Sequence, residues 1–145
     1  KMIIDDRNEF SDALAVTASA ISDVIDTGSL PTLKALASGG PLFLVISVDE
    51  QATAAGAATV TFSLESDSTA DLATSPTVHW QSSAIGKATL APGYNVACIP
   101  LPVLHNVERY LGVRYTVATG PLTAGKFSAF LTSTPAQWKA YDNAI

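Results

Sequence analysis

The sequence predicts an all-β fold, an antiparallel sandwich or barrel of about eight short strands. Three observations carry this. Apolar and polar residues alternate with a period of two in several runs, Gly-, Pro- and Ser-rich turns separate those runs, and no stretch sustains a long helical period.

Taken in order, "SDALAVTASAIS" (11–22) admits two readings. It could be an amphipathic helix capped by Ser11 or Asp12. It could equally be a strand of small residues followed by a second at "DVIDTG" (23–28), where β-branched Val24 and Ile25 favour extension. Residues 29–40 read as a loop with room for one helical turn over 32–37, stopped by Gly39, Gly40 and Pro41.

"PLFLVISVDE" (41–50) places apolar residues on both faces before turning polar, which predicts a strand buried on both sides for half its length. "AATVTFSLES" (57–66) sets Ala58, Val60, Phe62 and Leu64 on one face and Thr59, Thr61, Ser63 and Glu65 on the other, the pattern of a half-buried strand. "TVHWQSS" (77–83) and "YNVACIPL" (94–101) are shorter candidates. Pro100 has no N–H to give a ladder, so that run should end at a sheet edge or leave the sheet.

"ERYLGVRYTVATGPLTAGKFSAFL" (108–131) reads as a closing hairpin. Leu111, Val113, Tyr115 and Val117 share one face; Tyr110, Gly112, Arg114 and Thr116 share the other. On this reading the first strand is a sheet edge, and Tyr110 and Arg114 are candidate partner contacts. The chain then divides into a domain over 1–134 and a tail over 135–145. Trp138 and Tyr141 in that tail must dock on their own domain or on a neighbour, and they complete the set of candidate contacts.

Composition bounds the function. With 48% hydrophobic and 14% charged residues in 145, one domain can build a core without metal or disulfide. Eight basic against 13 acidic residues give a net charge of −5, which disfavours phosphate backbones and anionic membranes as partners. Cys98 is alone, so no intrachain disulfide forms. The apolar run 42–48 is far too short to span a bilayer. "ALAVTASA" (13–20) mimics a leader, but Asp5, Asp6, Glu9 and Asp12 precede it where a leader carries positive charge.

Chemistry-bearing constellations are sparse. His79, His105 and Cys98 lack the close spacing of a zinc site, and Asp5, Asp6 and Asp12 lack that of a calcium loop. No G-x-S-x-G elbow or phosphate loop occurs. Glu50, Glu65 and Glu108 read best as solubilising charges. The expectation is no enzymatic activity, no metal and no cofactor. Trp80 is either a core residue or a stacking platform. With Tyr94 and Trp138 it motivates an alternative, a carbohydrate-binding module.

The blocks "EFSDALAVTASAISDVIDTG" (9–28), "GPLFLVISVDE" (40–50), "ERYLGVRYTV" (108–117) and "TAGKFSAFL" (123–131) together resemble the jelly-roll cement, or decoration, proteins typified by the Bordetella short-tailed phage. The likeness runs from about residue 3 to 133. It implies a jelly roll that sits on the outer capsid surface of a virion, clamps neighbouring major capsid subunits and self-associates, as a dimer before a trimer. It implies no enzymatic activity and no cofactor, and under it the carbohydrate-binding alternative becomes a virion-displayed jelly-roll module. The tail from Pro135 onward lies beyond the matched part.

Overall fold

The structure, a computed structural model, describes residues 8–28, 42–101 and 107–133. The predicted loop over 29–40, His105, and the tail with Trp138 and Tyr141 lie outside the described residues. The elements are β1 (Glu9–Ala15), β2 (Ala20–Ile21), β3 (Ile25–Asp26), β4 (Phe43–Thr53), β5 (Thr59–Asp67), β6 (Thr77–Gln81), β7 (Ile85–Gly86), β8 (Asn95–Pro100), β9 (Tyr110–Ala118) and β10 (Ala124–Thr132).

Two antiparallel sheets form. One has the order β1-β10-β4-β8. The other has β2-β9-β5-β6, with β3 also pairing β9 and β7 also pairing β5. Since β2 and β3 follow one another along β9, they act as a single interrupted strand, and β6 and β7 do the same along β5. Eight strands therefore fill the two sheets as first-eighth-third-sixth and second-seventh-fourth-fifth. This is the double Greek key of a jelly roll.

Alternation explains which residues face inward. Val60, Phe62 and Leu64 of β5, Leu111, Val113 and Tyr115 of β9, and Phe127, Ala129 and Leu131 of β10 join one core cluster with Leu44 and Ile46 of β4. Burying each large side chain stabilises the fold by roughly 1.5–3 kcal/mol. Three rings join the layers: Phe62 stands edge-on to Tyr115 and Phe127, and Tyr115 stacks on Phe127 with centroids 5.8 Å apart. β4 is buried on both faces at Leu44, Val45 and Ile46, as its continuous apolar run predicts. Val45 lies opposite Phe130 on the face away from the main cluster.

The N-terminal ambiguity resolves as strand. β1 runs against β10 with register shifts around Ser11, and Ala13 takes a positive φ of 47° there. The bulge turns Ser11 inward, where its Oγ lies 2.7 Å from the Tyr115 hydroxyl. It also hands the Ala13 N–H to Ser128 Oγ at 2.9 Å. These bonds take polar groups that a helix would have left to solvent.

The closing hairpin is not formed. β9 pairs with β5, β2 and β3, whereas β10 pairs with β1 and β4 in the other sheet. The connection crosses the sandwich because Thr119 and Gly120 both turn through positive φ and Leu122 is buried. The crossing is clamped by two backbone bonds, from the Leu122 N–H to the Thr17 carbonyl and from the Thr123 N–H to that of Thr53. Nor is β9 an edge: β5 pairs it along its whole length, and β2 and β3 cover its other side. Alternation reports which face a residue occupies, not which strand lies beside it. The expected position of Pro100 does hold, at the last residue of β8, the end strand of its sheet.

Candidate interaction surface

The outward face of β9 carries Tyr110, Gly112, Arg114 and Thr116, and a loop over 68–76 lies across it. Asp67, the last residue of β5 and wholly buried, organises that loop. One carboxylate oxygen accepts from the Ser68 N–H at 2.6 Å, and the other from the N–H groups of Thr74 and Ser75 at 2.9 and 3.2 Å. Burial opposes ionisation of this carboxyl. The amide donors outweigh it and hold the pKa below the usual carboxylate value.

The loop brings Leu72, itself fully buried, over Gly112. A Cβ on Gly112 would stand 2.9 Å from Leu72 Cδ1 and 3.0 Å from Val24 Cγ1. Glycine at this position is thus what allows the loop to approach the sheet.

Arg114 works in the same place. Its Nε donates to Glu65 Oε2 at 2.8 Å, and its terminal nitrogen donates to the Leu72 carbonyl. Ser63 Oγ donates to the other Glu65 oxygen at 2.8 Å. Glu65 is therefore not the solubilising charge expected from its place on a polar strand face. It is 5% exposed and paired, because the loop covers that half of the face. Arg114 likewise has its guanidinium engaged within the chain.

Tyr110 lies at the open end of the same face, half-buried. Arg109 stacks over its ring, 5.0 Å from the centroid, and donates two bonds of 2.9 Å to Asp26. The guanidinium of Arg109, and then the Gly28 N–H, pull the Asp26 pKa down to about 2. Arg109 and Asp26 form an exposed polar rim beside Tyr110, whereas Arg114 is a structural clasp. Of the four predicted contacts, Tyr110 and Arg114 fall on one face with Gly112 between them; Trp138 and Tyr141 are outside the described residues.

A second polar cluster joins β5 and β6. Ser66 Oγ lies 2.7 Å from His79 Nε2, the Glu108 N–H donates to the same Oγ at 3.1 Å, and Thr77 donates to the Glu108 carboxylate at 3.3 Å. Burial lowers the His79 pKa, opposed by the charge of Glu108. The residue types are those of a hydrolytic triad. Ser66 is nevertheless wholly buried, with its hydroxyl engaged on both sides, so the cluster ties the segment ahead of β9 to the sheet. Sequence reasoning missed Ser66 and Asp67 because small polar residues on an outward face look like solvent-facing positions.

Trp80 is partly buried and packs against the core cluster. Cys98 is exposed on β8. Among the described residues no three His, Cys, Asp or Glu side chains are grouped to hold a metal ion. Nor is any helix among them long and apolar enough to cross a membrane.

No curated protein matches the sequence. The Bbp16 family model matches residues 10–131, from the second residue of β1 to the next-to-last of β10, and so includes residues of every strand of both sheets. The chain therefore belongs to the Bbp16 family, a family of Bordetella phage proteins.

Proposed function

We propose that the protein is a non-enzymatic cement, or decoration, protein that binds the outer surface of a phage capsid and bridges neighbouring major capsid subunits. It also associates with itself. The observation that carries this reading is the family match over the whole jelly roll, joined to the likeness of its strand blocks to phage cement proteins. A shell-bound role suits the chemistry. A chain of net charge −5 is ill suited to DNA and can work as an outward coat. Several modest contacts made at once reinforce one another through effective concentration, and contacts present only in the assembled shell stabilise that state.

The test is to add purified protein to undecorated capsids. Saturable binding at a fixed ratio to the major capsid protein, with a gain in heat resistance, is the expected result. Capsids that gain neither mass nor heat resistance overturn the proposal. The competing carbohydrate-binding reading drew on Trp80, Trp138 and Tyr94. Trp80 packs against the core, which removes one of its stacking platforms. Glycan-array binding by the free protein, lost on Tyr94→Ala, would restore it.

A further inference from the structure

The two sides of the sandwich differ in charge. On the side of β1, β2 and β3, Glu9, Asp12, Asp23 and Asp26 lie on or beside the end strands. On the opposite side, β6 and β8 are the end strands of their respective sheets. Neither contains an Asp, Glu, Lys or Arg, and over residues 72–107 the only such residue is Lys87. The Lys87 ammonium is itself taken up by the Ala54 carbonyl.

Sheet edges open to water are ordinarily guarded by charge, above all lysine, because an unguarded edge accepts a further strand. Here both end strands on one side lack that charge. The same side holds the exposed large apolar side chains among the described residues, Val78 on β6 and Tyr94 at the entry to β8. β8 also has backbone groups to offer. The Leu101 N–H bonds the Leu42 carbonyl, and Ile99 and Ala97 stand opposite Leu44 and Ile46. The alternate residues Cys98 and Pro100 therefore turn their backbone outward. Pro100 lacks an N–H and blocks pairing only at the strand's end.

We propose that this side is where a second copy of the chain docks, with β8 meeting β8 of its twin antiparallel across a two-fold axis near Cys98. A copy is the occupant that the charges favour. Two chains of net charge −5 repel over most of their surfaces, and an isologous contact through an uncharged edge sets no like charges opposite one another. The inference rests on the self-association proposed above and not on capsid binding, so the free protein tests it.

Light scattering over a concentration series reports whether the full chain dimerises, and a short bismaleimide reports where. Cys98 is the only cysteine, so any covalent dimer joins Cys98 to Cys98. Opposed residues of an antiparallel pair have Cα atoms about 5.5 Å apart, well within reach of such a reagent. The expected result is a dimer that crosslinks efficiently. The double variant Val78→Lys/Tyr94→Lys should melt like the wild type and dissociate at about 100-fold higher concentration. Asp23→Lys, on the opposite side, should dimerise normally. A dimer that fails to crosslink and ignores the double variant overturns this surface while leaving self-association standing. A monomer at every concentration overturns both.

Discussion

Arg114 Nε and Glu65 Oε2 lie 2.8 Å apart on the outward face of the second sheet, beneath the loop that Asp67 organises. Their side chains are only 29% and 6% exposed, so each charge depends on the other for much of its solvation. The arrangement links β9, β5 and the 68–76 loop, the last through the Leu72 carbonyl.

Arg114→Glu should therefore act on the fold before it acts on any partner. Removing one member of a buried pair costs about 3–5 kcal/mol; the partial exposure of Arg114 lowers that cost, and the new carboxylate set against Glu65 adds like-charge repulsion to it. Urea unfolding should show that loss. The apolar double variant Arg114→Met/Glu65→Leu should recover most of it, since no charge is left stranded. A single variant that unfolds like the wild type would show that the pair is not holding the loop.

Gly112→Ala tests the loop from the other side. The added Cβ meets the Leu72 and Val24 side chains at 2.9 and 3.0 Å, and the loop must lift or the side chains must shift. Overpacking of this kind costs about 1–3 kcal/mol. Limited proteolysis should cut within 68–76 faster than in the wild type. Unchanged cleavage with a lowered melting temperature would place the strain on Val24 instead.

Much of the fold was legible because the core obeys period two. Phe62, Val113 and Phe127 sit where alternation puts them, and β4 is buried on both faces as its apolar run requires. What could not be read was adjacency. The run of turn residues between β9 and β10 has hairpin chemistry, yet Leu122 draws it across the sandwich, and only two carbonyls distant in sequence, of Thr17 after β1 and of Thr53 at the end of β4, show why. The outward face of β9 was misread for a related reason. Arg114, Glu65 and Ser63 look solvated in sequence because the loop that covers them is held by Asp67, whose role depends on three amide donors downstream. Tyr110 lies on that face as the alternation puts it, and the Arg109 that stacks over its ring also bridges to Asp26, a contact between distant strands that alternation does not reveal.

Asp49 offers a pH-linked test with the opposite sign to most carboxylates. Desolvation raises its pKa, helped by the nearby charge of Asp12 and opposed by a 2.6 Å bond from Ser128. A carboxyl whose folded pKa lies above its unfolded value binds more protons when folded, so its contribution to stability falls as pH rises through that window. Asp26, pulled down to about 2, does the reverse: its contribution is present above the unfolded value of 3.8 and is lost as pH falls toward 2. Asp49→Asn keeps an oxygen to accept from Ser128 and removes the charge. At pH 7 it should melt at or above the wild-type temperature, and the difference should vanish in acid. A variant less stable than the wild type at neutral pH would show that the ionised carboxylate is needed.

Tyr115 sets the alkaline limit of the fold. Burial raises its pKa from the ordinary tyrosine value of 10.0 to about 12, against a smaller lowering by the Ser11 hydroxyl. The folded state therefore keeps a proton that the unfolded chain gives up. The contribution of Tyr115 is complete below pH 10 and is lost as pH rises toward 12, a swing of about 2–3 kcal/mol for a shift of that size. Wild-type stability should fall over this window, with the tyrosinate absorbance of Tyr115 appearing only as the protein unfolds. Tyr115→Phe should lose about 1 kcal/mol at neutral pH, because Ser11 still donates to the Phe127 carbonyl, and its stability should fall less steeply in alkali. If the variant and the wild type decline in parallel, the alkaline transition belongs to other groups, and the Tyr115 hydroxyl is not the proton that the folded core retains.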